Sequence, residues 1–564
     1  MGPVLTLLFL SFLGTTIYSL SLEGEFLWDD HFFVKGNSLI RDFFRFPQLF
    51  VQDVPDRSYI DNYTYYRPLQ ELTYMLDYRL WGLNVVGYHL TNIFLHVAVA
   101  GAVFWFVQVI GAGLMVAALT SVLFICHPVH SESVCYISGR GDLLASLFLV
   151  SSFTYYVKMV NAPVLLYGKF MRQGPLGSTP VLVALTFFLA LLSKENALIL
   201  PVLTGAYHYV YRKKISGQNV LPLIISLFCY VVMRFINKGT GDILWESLRG
   251  AQTRLPGFFQ SILVYFRLLV FPINLHFDYG QRLFAWHDAG VVTGFGVLVG
   301  LLFLGVTQVR RYPLLSFSVF WFLITLLPYA NVYRVYSYLA EHNLYIPSIA
   351  FFLVIADMIC RGMKHGRFPP VVSRFLFTGA ALWIIWCSSL TIQQSLYWRD
   401  PIEFYQRTLK FVQRDTLYLN LGVEYQQRGD LARAMAAYRK SLELNAWSAV
   451  TYRNLAFAYF QEGNGESAAV NLEKALACDP KDSKSFDLLG VVYSQEGKWD
   501  LADKAFARAI HLNPQCPKPY IHWGDSFHRR GAPEEAVFYY RKALQCERDD
   551  EAQRKLSALL YPQN

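Results

Sequence analysis

Charge is scarce in this chain. Only 16% of its 564 residues are Asp, Glu, Lys or Arg while 54% are hydrophobic, a balance that excludes an ordinary soluble globular protein. Its Phe and Tyr content suits a bilayer with aromatic interfacial belts. The eight cysteines form no CxxC and no Cys/His spacing of a metal site, and Cys229, Cys360 and Cys387 lie within apolar runs. Neither a zinc site nor a disulfide framework is indicated, so no metal is expected. The net charge of +9 is not gathered into one basic patch but falls in small clusters between apolar runs, as topology signals do. No nucleic-acid partner is therefore expected. The first apolar run, Leu5 to Leu20, lacks a basic flank before it and a cleavage site after it, so it is expected to remain as a span rather than be removed as a signal peptide.

What the chain has is a succession of apolar segments. After the first span comes a polar and aromatic loop, residues 23–87, with Pro47, Pro55, Pro68 and an Asn62-Tyr63-Thr64 sequon. A loop of that length is usually functional. Apolar runs follow at about 90–110, 112–128 and 142–157. The stretch 180–211 is one overlong helix or two short ones broken at Ser193-Lys194-Glu195-Asn196, and the flanking charges choose between them. Lys169 and Arg172 before it and Arg212, Lys213 and Lys214 after it are both expected on the cytoplasmic side, which requires two crossings. Further spans are expected at about 219–236, 290–308, 313–329, 343–360 and 375–392, with 258–272 as an interfacial or re-entrant helix. The total is about eleven spans, with a cytoplasmic N-terminus and the C-terminus expected on the outer side.

From about residue 416 the composition turns polar and the sequence repeats. Gly429, Gly463, Gly497 and Gly531 are spaced by 34, as are Ala434, Ala468, Ala502 and Ala536, and Tyr438, Leu472, Phe506 and Tyr540. Small residues at a helix crossing, a turn glycine and a period of 34 are the tetratricopeptide signature. The expected fold class is thus all-α: a polytopic membrane bundle over 1–395, a connecting helix over 396–415, and four repeats with a capping helix over 416–564.

The expected topology brings a set of polar residues to the outer face. Asp29 and Asp30 follow the first span, and the ends of later spans add Arg67, His89, His127, His130, Glu132, Arg140, Asp142, Lys194, Glu195, Arg334, Glu341 and His342. A carboxylate at the water boundary can serve as a general base toward a hydroxyl, and cationic side chains can hold a phosphate leaving group. Asp29 and Asp30 are the catalytic candidates. Arg67, His130, Arg140, Lys194 and His342 are the phosphate candidates, with His127, Glu132, Asp142, Glu195 and Glu341 in support. In the repeats, Tyr418, Asn420, Tyr452 and Asn454 recur at the repeat period and are expected to line a groove for an acceptor polypeptide, since Asn can hydrogen-bond a peptide backbone. A non-enzymatic membrane scaffold whose repeats recruit partners is the competing reading. A transporter fits less well, because its charges belong near the midplane.

Several motifs occur in order: WDD followed by Asn37, then YYRPL, WGLN, GYHLTNIFLH, HPVHSES with GRGDLLA, LSKEN, and AEHNLYIPS ahead of the 34-residue repeats. Together they resemble the transmembrane and tetratricopeptide-repeat O-mannosyltransferases and their bacterial relatives. That resemblance implies a GT-C fold, a polyprenyl- or dolichyl-phosphate sugar as donor with no further cofactor, and inverting transfer to Ser or Thr of acceptor proteins outside the cytoplasm. It carries the family's acidic pair onto Asp29 and Asp30 without saying which is the base. The segment Thr240 to Gly280 departs from the animal pattern and the repeats number only four, which favours a bacterial inner-membrane protein with periplasmic repeats over an endoplasmic-reticulum protein with lumenal ones.

Overall fold

The computed structural model describes residues 2–51, 66–162, 178–236, 250–280, 282–330, 339–364, 370–546 and 550–560, so the Asn62 sequon, Lys169, Arg172 and Arg334 lie outside the described residues. All regular structure among them is helical. The chain divides into two compact units, Met1–Phe404 and Tyr405–Asn564.

The first unit begins with α1 (Pro3–Ile17), which starts on a proline whose missing N–H is no loss in a first turn. Short turns then lead through Trp28–Asp30 into a π-helical stretch, His31–Lys35, and a 3₁₀ segment, Phe43–Phe50. Next come α2 (Pro68–Trp81) and α3 (Val85–Val109), the latter capped by Asn84, whose side chain accepts from the Val86 N–H. The glycines at the next hairpin, Gly111 and Gly113, adopt φ of +88° and +94°, which a side chain would strain. α4 (Leu114–Cys126) follows, then a 58° bend at His127 into the short α5 (Ser131–Cys135), and α6 (Arg140–Asn161).

α7 (Thr179–Ser193) stops where Lys194 turns extended, and α8 (Leu200–Tyr211) resumes after a 3₁₀ turn, so the chain breaks within LSKEN. α9 (Gly217–Ile236), α10 (Ala251–Val270), α11 (Ala289–Thr307), α12 (Pro313–Leu326), α13 (Ser348–Lys364) and α14 (Pro370–Tyr397) complete the unit. The segment expected as an interfacial helix at 258–272 is thus one 20-residue helix, α10.

Among the described residues, four helical segments are long and apolar enough to cross a membrane: Val85–Val109, Ile137–Asn161, Gly217–Phe235 and Ala289–Thr307. The bent Leu114–Cys126 and Pro128–Cys135 pair qualifies only as a broken span or a re-entrant loop, and three further apolar helices are shorter. Helix length and hydropathy therefore do not reproduce the count of eleven. Burial separates the four into two kinds: the windows of the first two are 56% and 67% buried, whereas those of α9 and α11 are 22% and 17% buried. Helices α3 and α6 form the core, and α9 and α11 expose apolar faces suited to lipid.

The second unit contains four helix pairs: Asp415–Gln427 with Leu431–Leu444, Ala449–Gln461 with Gly465–Cys478, Ser483–Gln495 with Trp499–Leu512, and Pro517–Arg529 with Pro533–Cys546. Gly429, Gly463, Gly497 and Gly531 turn each pair at φ between +72° and +85°. A second glycine serves packing instead. A Cβ at Gly422, Gly490 or Gly524 would meet the ring of Tyr438, Phe506 or Tyr540 at 2.5 to 2.6 Å, and in the second repeat, where Ala456 holds that position, the facing residue is Leu472. A last helix, Asp550–Leu560, packs Ala552 and Leu556 onto Ile521, Ala536, Tyr540 and Ala543, closing the apolar end of the stack.

Candidate functional site

The two adjacent aspartates occupy different environments. Asp30 is buried at 1% exposure, and three donors converge on its carboxylate: the Ser138 N–H at 2.8 Å, the Ser138 hydroxyl at 2.5 Å and the Leu27 N–H at 3.1 Å. This carboxylate ties the loop after α1 to the turn that leads into α6. Asp29 is only partly buried. Its backbone holds it in place: the N–H donates to the Tyr136 hydroxyl at 3.1 Å, and the carbonyl accepts from Phe32 and Phe33 at 2.9 and 2.8 Å as the π-helical stretch begins. Such stretches and non-glycine residues at positive φ are costly and concentrate at functional sites, and Trp28, directly before the pair, sits at φ +47°. Burial pushes the Asp29 carboxyl up to about 6, against the Tyr136 hydrogen bond and the Arg67 charge. It pushes Asp30 up to about 7, against the bonds from Ser138 and Leu27.

A closed ring of contacts passes through Asp29. The Trp28 ring packs on Phe277 at 5.3 Å, and Phe277 packs on Tyr136 at 6.1 Å. Beside Phe277, the His276 N–H and the Tyr279 hydroxyl donate to the Glu341 carboxylate at 2.7 and 2.8 Å. The next residue, His342, bonds the buried Glu132 carboxylate through its backbone N–H at 2.9 Å and through Nδ1 at 2.7 Å. One turn on, the Tyr136 N–H donates to the Glu132 carbonyl, and the Tyr136 hydroxyl returns to Asp29. The His342 side chain is 31% exposed, and with Nδ1 fixed on Glu132 its Nε2 is the nitrogen left to face a ligand.

The remaining residues expected at this face fall into two groups. Arg67, at 18% side-chain exposure, forms a forked pair with Glu195 at 2.8 and 3.3 Å, and the electrostatic influence of Arg67 reaches Asp29. Arg140 and His130, expected to face a phosphate, are instead enclosed. Arg140 is ion-paired with Asp77 at 2.6 Å and donates to Asn92, the Tyr88 carbonyl and Thr73, so it clamps α2 and α3 onto α6. His130 is fully buried between the Phe124 carbonyl and Ser348, and His127 is buried against the Leu269 carbonyl. Lys194 is also committed internally, with both Asp142 oxygens at 2.7 and 2.8 Å. These pairings join residues 52 to 63 positions apart, a distance over which spacing carries no signal. Tyr136 and Ser138, which fix the two aspartates, were missed for that reason. Among the described residues, no group of three or more His, Cys, Asp or Glu is placed to hold a metal ion.

In the second unit, Tyr418 and Asn420 lie on the first helix of the first pair, Tyr452 and Asn454 on that of the second, and all four are partly buried. The Tyr418 hydroxyl donates to Gln413 at 2.6 Å, and Lys474 lies over the Tyr452 ring at 5.9 Å.

Comparison with known proteins follows the same division. Tetratricopeptide-repeat family profiles match residues 425–490 and 485–519. Protein O-mannosyl-transferase F38B6.6 of Caenorhabditis elegans is 26% identical over 467 residues, which cover 79% of this chain and 62% of that protein. Protein O-mannosyl-transferase TMTC4 of Homo sapiens is 23% identical over 75% of this chain and 64% of its own length, and the human TMTC2 protein is 27% identical over 43% and 28%. The chain is a homologue of these protein O-mannosyl-transferases. It spans less than two thirds of the length of each. The alignment with the worm transferase covers too much of this chain to be confined to the repeats, so the homology includes membrane-unit residues. These relatives are animal proteins and lend no support to the bacterial placement. Apolar helices and homology together make the chain a membrane protein.

Proposed function

We propose that the chain is a protein O-mannosyltransferase that moves a mannosyl group from a polyprenyl- or dolichyl-phosphate carrier to a Ser or Thr hydroxyl, with inversion at the anomeric carbon. The observation that carries the reading is the division of labour in the acidic pair. Asp30, enclosed and met by three donors, is a structural anchor, whereas Asp29, held by its backbone within the contact ring, is only partly buried and presents the carboxylate. Asp29 takes the proton of the acceptor hydroxyl as that oxygen bonds the anomeric carbon. The bond from that carbon to the phosphate oxygen breaks, and its electron pair leaves with the lipid phosphate. Arg67 and His342, the partly exposed members of the phosphate set, stabilise that phosphate. Arg140, His130 and Lys194 support the scaffold.

The repeats hold the acceptor polypeptide, with Tyr418, Asn420, Tyr452 and Asn454 among the contacts, and raise its local concentration rather than take part in the chemistry. The test is transfer from a polyprenyl-phosphate mannose to a Ser-containing protein by the purified chain in lipid vesicles. Mannosylation should appear with the parent protein and fall by orders of magnitude with Asp29→Asn. A parent protein that folds and moves no sugar from any lipid phosphate would favour the scaffold reading instead.

A further inference from the structure

Within electrostatic reach of Asp29, the forked contact of Arg67 with Glu195 has the geometry in which an arginine receives a phosphate. The carboxylate that fills it is an exposed one: the Glu195 side chain is 49% accessible, against 18% for Arg67. Both Lys194 hydrogen bonds go to Asp142, and only its charge acts on Glu195. Despite partial burial, the Arg67 guanidinium holds the Glu195 carboxyl below its ordinary range, so Glu195 is an anion here.

A second cation stands alongside. Arg234, in the last turn of α9, lies over the Tyr66 ring at 5.5 Å, and Tyr66 packs on Tyr230 at 6.4 Å. Tyr230 is within electrostatic reach of Glu195, Arg234 and Arg67 together, which places the three charges around one corner of the membrane unit. Among the described residues, the Arg234 guanidinium faces a ring and not a carboxylate. Below this corner α9 is apolar and outward-facing, with Leu221, Ile224, Ile225, Phe228, Val231, Val232 and Phe235 exposed.

We infer that Arg67 and Arg234 form the binding site for an isoprenyl phosphate, that Glu195 is the resident anion which the phosphate displaces from Arg67, and that the isoprenyl chain lies along the exposed face of α9. The inference rests on the proposed lipid-phosphate donor and adds Arg234 and Glu195 to its recognition. A displaced carboxylate is also a selectivity device. A neutral lipid, unable to replace the anion, would leave Arg67 paired, whereas a phosphate provides the same fork with a greater charge.

The experiment uses the full chain in detergent micelles and measures binding of a short-chain isoprenyl monophosphate, the matching alcohol and inorganic phosphate by calorimetry. Because no sugar has to move, the result is independent of whether the chain is a mannosyltransferase. The isoprenyl phosphate should bind the parent protein, with Arg67→Gln and Arg234→Gln each weakening it about tenfold or more. Glu195→Gln should tighten it several-fold, because the competitor is gone, and Glu195→Asp should do the same with the charge kept, because the shorter side chain reaches Arg67 poorly. If Glu195 merely braces Arg67, both changes would weaken binding, and that outcome overturns the inference, as does an Arg234→Gln protein that binds like the parent. Inorganic phosphate binding as tightly as the isoprenyl phosphate would overturn the placement of the lipid chain on α9. Glu195→Asp keeps the test decisive should Glu195→Gln fail to fold.

Discussion

Arg140 provides the sharpest check on which cations face the ligand. Replacing it with Met leaves the Asp77 carboxylate, 6% exposed, without its ion pair, and strips hydrogen bonds from Asn92 and the Tyr88 carbonyl. Breaking a buried ion pair by removing one partner costs about 3–5 kcal/mol. Each orphaned buried acceptor adds about 1–3 kcal/mol before relaxation. Against a typical total stability of roughly 5–15 kcal/mol, the membrane unit should be largely lost from the folded fraction. Asp77→Asn in the same chain removes the stranded charge while an amide oxygen can still accept from Thr91, so the double variant should recover about 2–3 kcal/mol of the loss. Arg140→Lys keeps the charge but cannot reach Asp77, Asn92 and the Tyr88 carbonyl at once, and should fall between. The assay is the monodisperse fraction after detergent extraction, followed by thermal unfolding of what remains. An Arg140→Met protein that is extracted and unfolds like the parent, yet no longer uses the lipid donor, would refute the enclosed role and return Arg140 to the phosphate.

For the acidic pair, Asp29→Asn should lower turnover by about 10²–10⁴, the range for a general base, and Asp30→Asn by less, so kinetics of the two single variants reversing that order would move the base to Asp30. Because burial raises the Asp29 carboxyl to about 6 and only the ionised form accepts a proton, kcat/KM should fall about tenfold per pH unit below that value; a profile flat down to pH 4 would count against this assignment. At Trp28, with φ +47°, Ala keeps the backbone strain and loses the contact with Phe277, whereas Gly loses the contact but relieves about 1–2 kcal/mol of strain. Trp28→Gly should therefore unfold at a higher temperature than Trp28→Ala, and the reverse order would show the strain to be absent. Gly497→Ala, with φ +72° and open space around its Cβ, should weaken the third repeat by about 1–2 kcal/mol through backbone strain alone. Limited proteolysis of the full chain should then cut there first.

The sequence carried the repeats well because their information is one-dimensional: a period of 34 in small and turn-forming residues survives without any knowledge of tertiary contacts. The break at Lys194 was legible for a similar reason, since charges flanking an apolar run report on crossings. The fate of the cations was not. Lys194 and Arg140 look alike from their positions near span ends, yet Asp142 and Asp77 absorb both, while Arg67 remains partly exposed. The acidic pair was visible as a pair, but its asymmetry depends on Ser138 and Tyr136, more than a hundred residues away. Such partners are set by packing of α2, α3 and α6, which no local pattern encodes.

The glycine and ring that face each other inside three of the four repeats have a consequence for how the array can change over time. A bulkier residue in place of Gly490 is blocked while Phe506 is present, and a smaller residue in place of Phe506 leaves a void while Gly490 is present, so neither site can wander alone. The second repeat, with Ala456 opposite Leu472, is the other self-consistent spelling of the same joint. Recombination that exchanges whole repeats keeps the two letters together, whereas a crossover between the paired helices would marry Ala to an aromatic ring or Gly to Leu. The array should therefore tolerate shuffling at the boundaries between helix pairs and resist it within them.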